Sequence, residues 1–107
     1  METREENIIS LEKAINNLDQ SPNYFIDLFG DKGIGTGILR LKKGEIDIQL
    51  PHSVDEVYFV LQGNGSIEIE GRVKRIKTAD FIFVPANAHH KFLVDDSTLV
   101  VIYFLGL

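Results

Sequence analysis

Pro51-His52-Ser53-Val54-Asp55-Glu56-Val57-Tyr58-Phe59-Val60-Leu61-Gln62-Gly63, taken with Pro85-Ala86-Asn87-Ala88-His89-His90, decides the reading of this chain. The first stretch places a histidine and a glutamate four residues apart at the entrance to an apolar, β-branched and aromatic run, which is strand composition. The second places another histidine just beyond a proline turn and at the head of a further apolar run. The chain has 3 histidines, and two of them occupy these positions. Imidazole and carboxylate brought together from neighbouring strands are how an all-β protein builds a metal site inside a barrel.

Outward from these stretches the chain continues in the same idiom. Tyr24 to Phe29 reads as a strand, Gly30-Asp31-Lys32-Gly33 as a turn, and Ile34 to Leu41 as a second strand. Its Gly35 and Gly37 mark a bulge or a close backbone approach. Lys42-Lys43-Gly44-Glu45 turns the chain into an expected strand at Ile46 to Leu50. Glu56 to Leu61 follows, and Gly63-Asn64-Gly65 carries a hairpin signature. Ser66 to Glu70 alternates as a half-exposed strand does, and further strands are expected at Val73–Ile76, Phe81–Val84, His90–Val94 and Thr98–Phe104. Before all of these, Ser10 caps one short amphipathic helix with apolar positions at Leu11, Ala14, Ile15 and Leu18, ended by Ser21-Pro22. Many short strands with glycine and proline punctuation predict an all-β sandwich or barrel. Residues 1–22 form an N-terminal segment with the helix, and 23–107 form the barrel.

Composition narrows the function classes. The chain has 107 residues, enough for one core, with 44% hydrophobic and 25% charged residues and a formal net charge of −5. An acidic domain without a basic stripe is a poor binder of phosphate backbones. Of the two small basic groups, Arg40/Lys42/Lys43 and Arg72/Lys74/Arg75/Lys77, the second interleaves as a solvated strand face does, so no nucleic-acid partner is expected. No apolar run has the length of a membrane span, and no signal-peptide apolar region follows Met1 to Asn7, so a cytoplasmic protein without a membrane partner is expected. The absence of cysteine excludes disulfides, thiolate ligands and a thiol nucleophile.

Side chains alternate faces along a strand, which sorts the histidines. His90 shares parity with Phe92 and Val94, an interior set; His89 shares it with Lys91 and is placed outside. His52, Glu56 and Tyr58 have equal parity and point to one interior if the backbone is regular there. A carboxylate facing an apolar interior costs several kcal/mol unless it is paired or ligates a cation (order of magnitude). Two readings of Glu56 therefore stand: a metal ligand with His52 and His90, or a salt-bridged rim carboxylate.

Gly44, His52, Glu56 and Gly63 resemble the first cupin motif, glycine–five–His–x–His–three or four–Glu–six–glycine. Pro85 and His90 fall in register with the second, which ends His–three–Asn. The resemblance implies a small double-stranded β-helix (jelly-roll) barrel and a divalent metal ion, Fe, Mn, Ni or Zn, held by His52, Glu56 and His90. The departures are specific. Leu50 replaces the first motif histidine, Ala79 and Asn87 replace two glycines, and Val94 replaces the final asparagine. Asp47-Ile48-Gln49-Leu50-Pro51-His52-Ser53-Val54-Asp55-Glu56 is similar to a group of small single-domain cupins with Asp-x-Gln-x-Pro-His-x-x-Asp-Glu, which makes Gln49 a candidate fourth ligand or supporting donor. Regular alternation turns Gln49 away from His52, whereas a bulge at Pro51 re-aims it; otherwise it is a surface amide.

The implied activities are a metal-dependent enzyme of oxygenase type, a metal-dependent isomerase or lyase, or a non-catalytic barrel that binds a small molecule. Tyr58 is the candidate proton donor or substrate contact, with Tyr103 behind it. The resemblance further implies a homodimer, with Leu99 to Leu107 and the helix of Leu11 to Leu18 as interface candidates or, equally, as parts of the monomer's own core.

Overall fold

The computed structural model describes residues 6–30 and 33–106. Helix α1 spans Leu11–Gln20, begun by the Ser10 hydroxyl accepting from the Lys13 N–H at 3.1 Å and closed by the Ser21 N–H on the Leu18 carbonyl. Eight strands follow: β1 (Phe25–Gly30), β2 (Ile34–Leu41), β3 (Glu56–Gln62), β4 (Asn64–Ile69), β5 (Arg72–Lys77), β6 (Phe81–Val84), β7 (His90–Val94) and β8 (Leu99–Gly106). All pairings are antiparallel. They form a five-stranded sheet in the order β1-β2-β8-β3-β6 and a three-stranded sheet in the order β5-β4-β7. The centre of the turn expected after β1, Asp31 and Lys32, lies outside the described residues.

The core lies between the two sheets. Leu39, Val60 and Val101 from one and Ile67 and Phe92 from the other are at most 2% exposed. This is the all-β jelly-roll barrel with a short helix that the strand pattern predicts. Helix α1 covers the outer face of β1 and β2, where Ala14 and Leu18 are buried and Leu18 packs with Ile38 and Val100. The C-terminal run is likewise internal: β8 lies between β2 and β3, and Leu99 and Val101 are fully buried. Both segments therefore serve the monomer's core.

Two local expectations are corrected. Gly63-Asn64-Gly65 is not a hairpin, because β3 and β4 belong to different sheets; the glycines turn a corner between them. A Cβ at Gly63 would sit 2.2 Å from the Thr98 carbonyl oxygen, and one at Gly65 2.3 Å from that of Leu93, so backbone packing demands glycine there. The tight hairpin is one step on, at Glu70-Gly71 between β4 and β5, where both residues have positive φ (49° and 80°) as a type I′ turn requires.

The second correction is Ile46 to Leu50, which is not a strand; residues 42–55 carry no ladder. The turn at Gly44 (φ 88°) forms as expected. Beyond it the chain is held by side chains. The buried Asp47 carboxylate accepts the Phe92 N–H at 2.7 Å and the Tyr24 hydroxyl at 2.8 Å. Asp47 thus takes the place that a neighbouring carbonyl would fill on the edge of β7. Pro51 has no N–H to offer a ladder. Further along, the Asn87 N–H donates to the His52 carbonyl at 2.7 Å and the Ala86 N–H to Asp55 Oδ1 at 2.9 Å.

Ala79 (φ 76°) and Asn87 (φ 67°), the two residues that replace motif glycines, both adopt the left-handed conformation. Asn enters it readily, whereas Ala does so at a cost. The basic residues of β5 are solvated, with Arg75 paired to Asp95 and Lys77 to Asp80.

Candidate metal centre

The site is assembled from three backbone origins. Glu56 opens β3, with its side chain inward beside Tyr58 and Val60; alternation along a paired strand dictates that placement. His90 opens β7 and faces the interior with Phe92, while His89 is exposed, as parity predicts. His52 lies on the irregular 42–55 segment, so parity does not govern it. The Asn87–His52 backbone bond fixes it against the turn that leads into β7.

One ligand atom from each of His52, Glu56 and His90 lies within 4.8 Å of the others. His52 Nδ1 contacts Glu56 Oε1, and His90 Nε2 lies 3.4 Å from Glu56 Oε2. His90 Nδ1–H donates to the Ala88 carbonyl at 3.0 Å, which turns Nε2 toward Glu56, the arrangement that orients metal-binding imidazoles. Glu56 is 2% exposed, and no lysine or arginine is paired with it among the described residues. Two imidazole nitrogens and one carboxylate oxygen suit a divalent transition metal, with ligand bonds of about 2.1 Å drawing such donors together. On donor chemistry, burial and imidazole orientation, these residues fit the ion that the motif implies.

Tyr58 sits at the centre of the group. Its hydroxyl contacts Glu56 Oε2, lies 2.8 Å from His90 Nε2 and reaches Gln49 Oε1 at 3.3 Å. Gln49 therefore approaches the site without a bulge in any ladder: the segment carrying it is not strand, and regular alternation never applied.

Electrostatics follow from this packing. Burial pushes Glu56 up, but hydrogen bonds with His90 and Tyr58 and the nearby His52 outweigh it and hold its carboxyl below the ordinary range. Burial pushes His90 down, and the bonds to Glu56 and the Ala88 carbonyl more than restore it, so its imidazole is raised. Tyr58 is raised by burial and then by Glu56, so the phenol keeps its proton.

Beside the donors is a cavity of about 460 Å³, whose lining includes Gln49, Leu50, His52 and Tyr58 together with Phe25, Asp27 and Tyr103. A volume of that order suits a small molecule. Sequence reasoning assigned no role to Asp47 or Asp27. Asp47 stood within the quoted motif, where its spacing from Gln49 offered a signal; Asp27, inside an apolar strand, offered only its parity with Phe25.

A Cupin domain family model matches residues 37–105, well over half of the chain. An uncharacterised protein of Streptomyces coelicolor is 28% identical over 81 residues, which cover 74% of this chain and 77% of that one. Acireductone dioxygenase of Bacillus mycoides is 40% identical over 55 residues, covering 47% of this chain; the match spans only 32% of the dioxygenase. Among solved structures, a cupin protein from Bacteroides fragilis superposes with a TM-score of 0.70 at 16% identity, covering 99% of this chain and 86% of that one. No helix among the described residues is long and apolar enough to cross a membrane.

Proposed function

The chain belongs to the Cupin domain family, and on that premise we propose that it is a metal-dependent enzyme of oxygenase type acting on a small molecule. The observation that carries the reading is the convergence of His52, Glu56 and His90, two of them buried, beside a cavity that His52 and Tyr58 help to line. In this proposal the three side chains hold one divalent ion, Fe, Mn, Ni or Zn, and Gln49 is a fourth ligand or a supporting donor. When bound, such an ion supplies Lewis acidity toward an oxygen-bearing substrate or activates dioxygen. Glu56 brings the negative charge that balances the cation, and Ala88 holds the His90 ring in place. Tyr58, in contact with Glu56 and His90 and lining the cavity, is the candidate substrate contact or proton donor there. The stretch shared with a dioxygenase supports oxygen chemistry over the isomerase or lyase alternative.

A non-catalytic small-molecule-binding barrel is the second reading, favoured by one observation. The Tyr58 hydroxyl donates to Glu56, and His52 and His90 also lie against that carboxylate, so buried Glu56 has protein partners without an ion. We further propose a homodimer through the outer face of the five-stranded sheet, where Phe81 and Phe83 are 73% and 60% exposed beside Val57 and Phe104. Light scattering tests it. We also propose a cytoplasmic location, which cell fractionation tests.

The decisive experiment is metal analysis of untagged protein beside His52→Ala and His90→Ala, each reconstituted with Fe(II), Mn, Ni and Zn. About one ion per chain in the parent and little in either variant is expected. Equal, negligible metal in all three refutes the site. Oxygen uptake across acireductones, catechols, thiols and small keto acids then separates the enzyme from the binding barrel.

A further inference from the structure

The cavity has a second polar end. One register row crosses the five-stranded sheet as Asp27, Gly37, Tyr103, Tyr58 and Ile82, on β1, β2, β8, β3 and β6. Two tyrosines thus lie next to each other on the barrel floor and reach opposite ways. Tyr58 reaches Glu56 and His90. Tyr103 reaches across β2 to β1, where its hydroxyl lies 2.6 Å from Asp27 Oδ1 and 2.9 Å from the Ile26 carbonyl oxygen. The crossing exists because residue 37 is glycine: a Cβ there would stand 2.1 Å from the Tyr103 hydroxyl oxygen. Tyr103 is itself buried, so its hydroxyl is a fixed post that holds the Asp27 carboxylate at the cavity wall.

The charge pattern of the wall is one-sided. Among the described residues that line the cavity, Asp27 is the carboxylate, and there is no lysine or arginine. The rest of the lining is largely apolar or aromatic, with Tyr24, Phe25, Leu50 and Leu105 beside Gln49 and His52. A phosphate or carboxylate placed beside Asp27 meets a like charge with no compensating cation, which discriminates against it. A cation placed there gains a charge-assisted hydrogen bond to Asp27 and the faces of nearby aromatic rings.

We propose that the Asp27 end of the cavity is a cation subsite, and that the ligand is a small molecule with an ammonium or similar onium group on a short apolar chain. Its other, oxygen-bearing end lies toward His52, Glu56 and His90. That orientation rests on the metal-centre reading; the preference for a cation does not.

The test uses metal-free, EDTA-treated protein and three probes of one shape: n-hexylamine, n-hexanol and hexanoate. Each is titrated at low salt, with binding followed through backbone amide shifts of Phe25, Asp27 and Leu105. The expected order is amine about tenfold tighter than alcohol, with hexanoate weakest. Asp27→Asn brings amine and alcohol to parity, and Asp27→Lys reverses the preference toward hexanoate. Asp27 is exposed; Asn keeps an oxygen acceptor for the Tyr103 hydroxyl, and in the Lys variant the Ile26 carbonyl still accepts from it, so both variants keep the fold. Equal binding of amine and alcohol by the parent overturns the proposal, as does a preference that survives Asp27→Asn, or no binding by any probe. Because the probes need no metal, an amine preference in a protein that fails metal reconstitution sinks only the metal centre. Stoichiometric metal without the preference sinks only this subsite.

Discussion

Replacing Gly37 by alanine tests the geometry on which the barrel floor depends. The added Cβ would lie 2.1 Å from the Tyr103 hydroxyl oxygen, 2.2 Å from its Cζ and 2.4 Å from the Ile26 carbonyl oxygen. Carbon contacts relax near 3.5 Å, so the ring must withdraw by about 1.3 Å or β1 must part from β2. Neither is easy: Tyr103 is 7% exposed with Tyr58 as its neighbour across the ladder, and β1 is held to β2 along Phe25 to Gly30. Overpacking of this kind costs about 1–3 kcal/mol. Pulling the buried hydroxyl from its acceptors adds about 1–2 kcal/mol. Together they predict a loss of about 2–5 kcal/mol, a large share of the roughly 5–15 kcal/mol that stabilises a domain. Urea unfolding should show the loss as a lower midpoint at unchanged slope, and the melting temperature should fall by about 10–30 °C. A double-variant cycle with Tyr103→Leu makes the cause visible. With the ring gone the alanine has room, so the two changes should be less than additive by about 2 kcal/mol. A Gly37→Ala protein within about 0.5 kcal/mol of the parent, or full additivity with Tyr103→Leu, would refute the reasoning.

Other perturbations have equally definite outcomes. Ala79→Gly relieves a left-handed alanine at a cost in unfolded-chain entropy, so stability should rise by about 0.5–1 kcal/mol in urea titration; a loss contradicts the assigned backbone. Asp47→Ala strips acceptors from the Phe92 N–H and the Tyr24 hydroxyl and should cost about 3 kcal/mol, with faster amide exchange at Phe92 as its local signature. All 3 tyrosines are raised, by burial first and then by Asp47, Glu56 or Asp27. Tyr24 moves from 10.0 to about 12, so its contribution to stability is complete below 10.0 and is lost as pH rises through about 12. Phenolate absorbance should therefore stay low at pH 10 while the protein is folded and appear together with unfolding. If the donor set holds its ion, EDTA should lower the melting temperature of reconstituted parent protein and leave Glu56→Gln unmoved, since an ion at 100 times its Kd stabilises by about 2.7 kcal/mol. An equal response of both proteins places the ion elsewhere.

The division between what was legible early and what was not follows the backbone. On paired strands alternation is enforced by the ladder, and the expectations for His90, His89, Glu56 and Tyr58 match the observed burial. Ile46 to Leu50 alternates just as well, with Ile46, Ile48 and Leu50 about three-quarters exposed and Asp47 buried, yet it is not a strand. Period-2 hydropathy reports facing, not pairing, and pairing here is pre-empted by a side-chain carboxylate. The Gly63-Asn64-Gly65 signal misled for a related reason. Glycine permits both a tight turn and a close approach of backbones, and only the neighbours Thr98 and Leu93 distinguish them.

By itself the sequence determined an all-β barrel with one capped helix, the approximate positions of its eight strands (with a further one at Ile46 to Leu50 that does not form), and the three residue types at motif spacing. Those are local properties: propensity, period and punctuation. Tertiary structure alone decided that β3 and β4 part into different sheets, that Gln49 reaches Tyr58 from an unpaired segment, and that Asp47 staples that segment to β7. It alone joined Asp27 to Tyr103, residues 76 positions apart, over a glycine on the strand between them. Such contacts depend on which strands become neighbours, and long-range pairing leaves no periodic trace in the residues that it brings together.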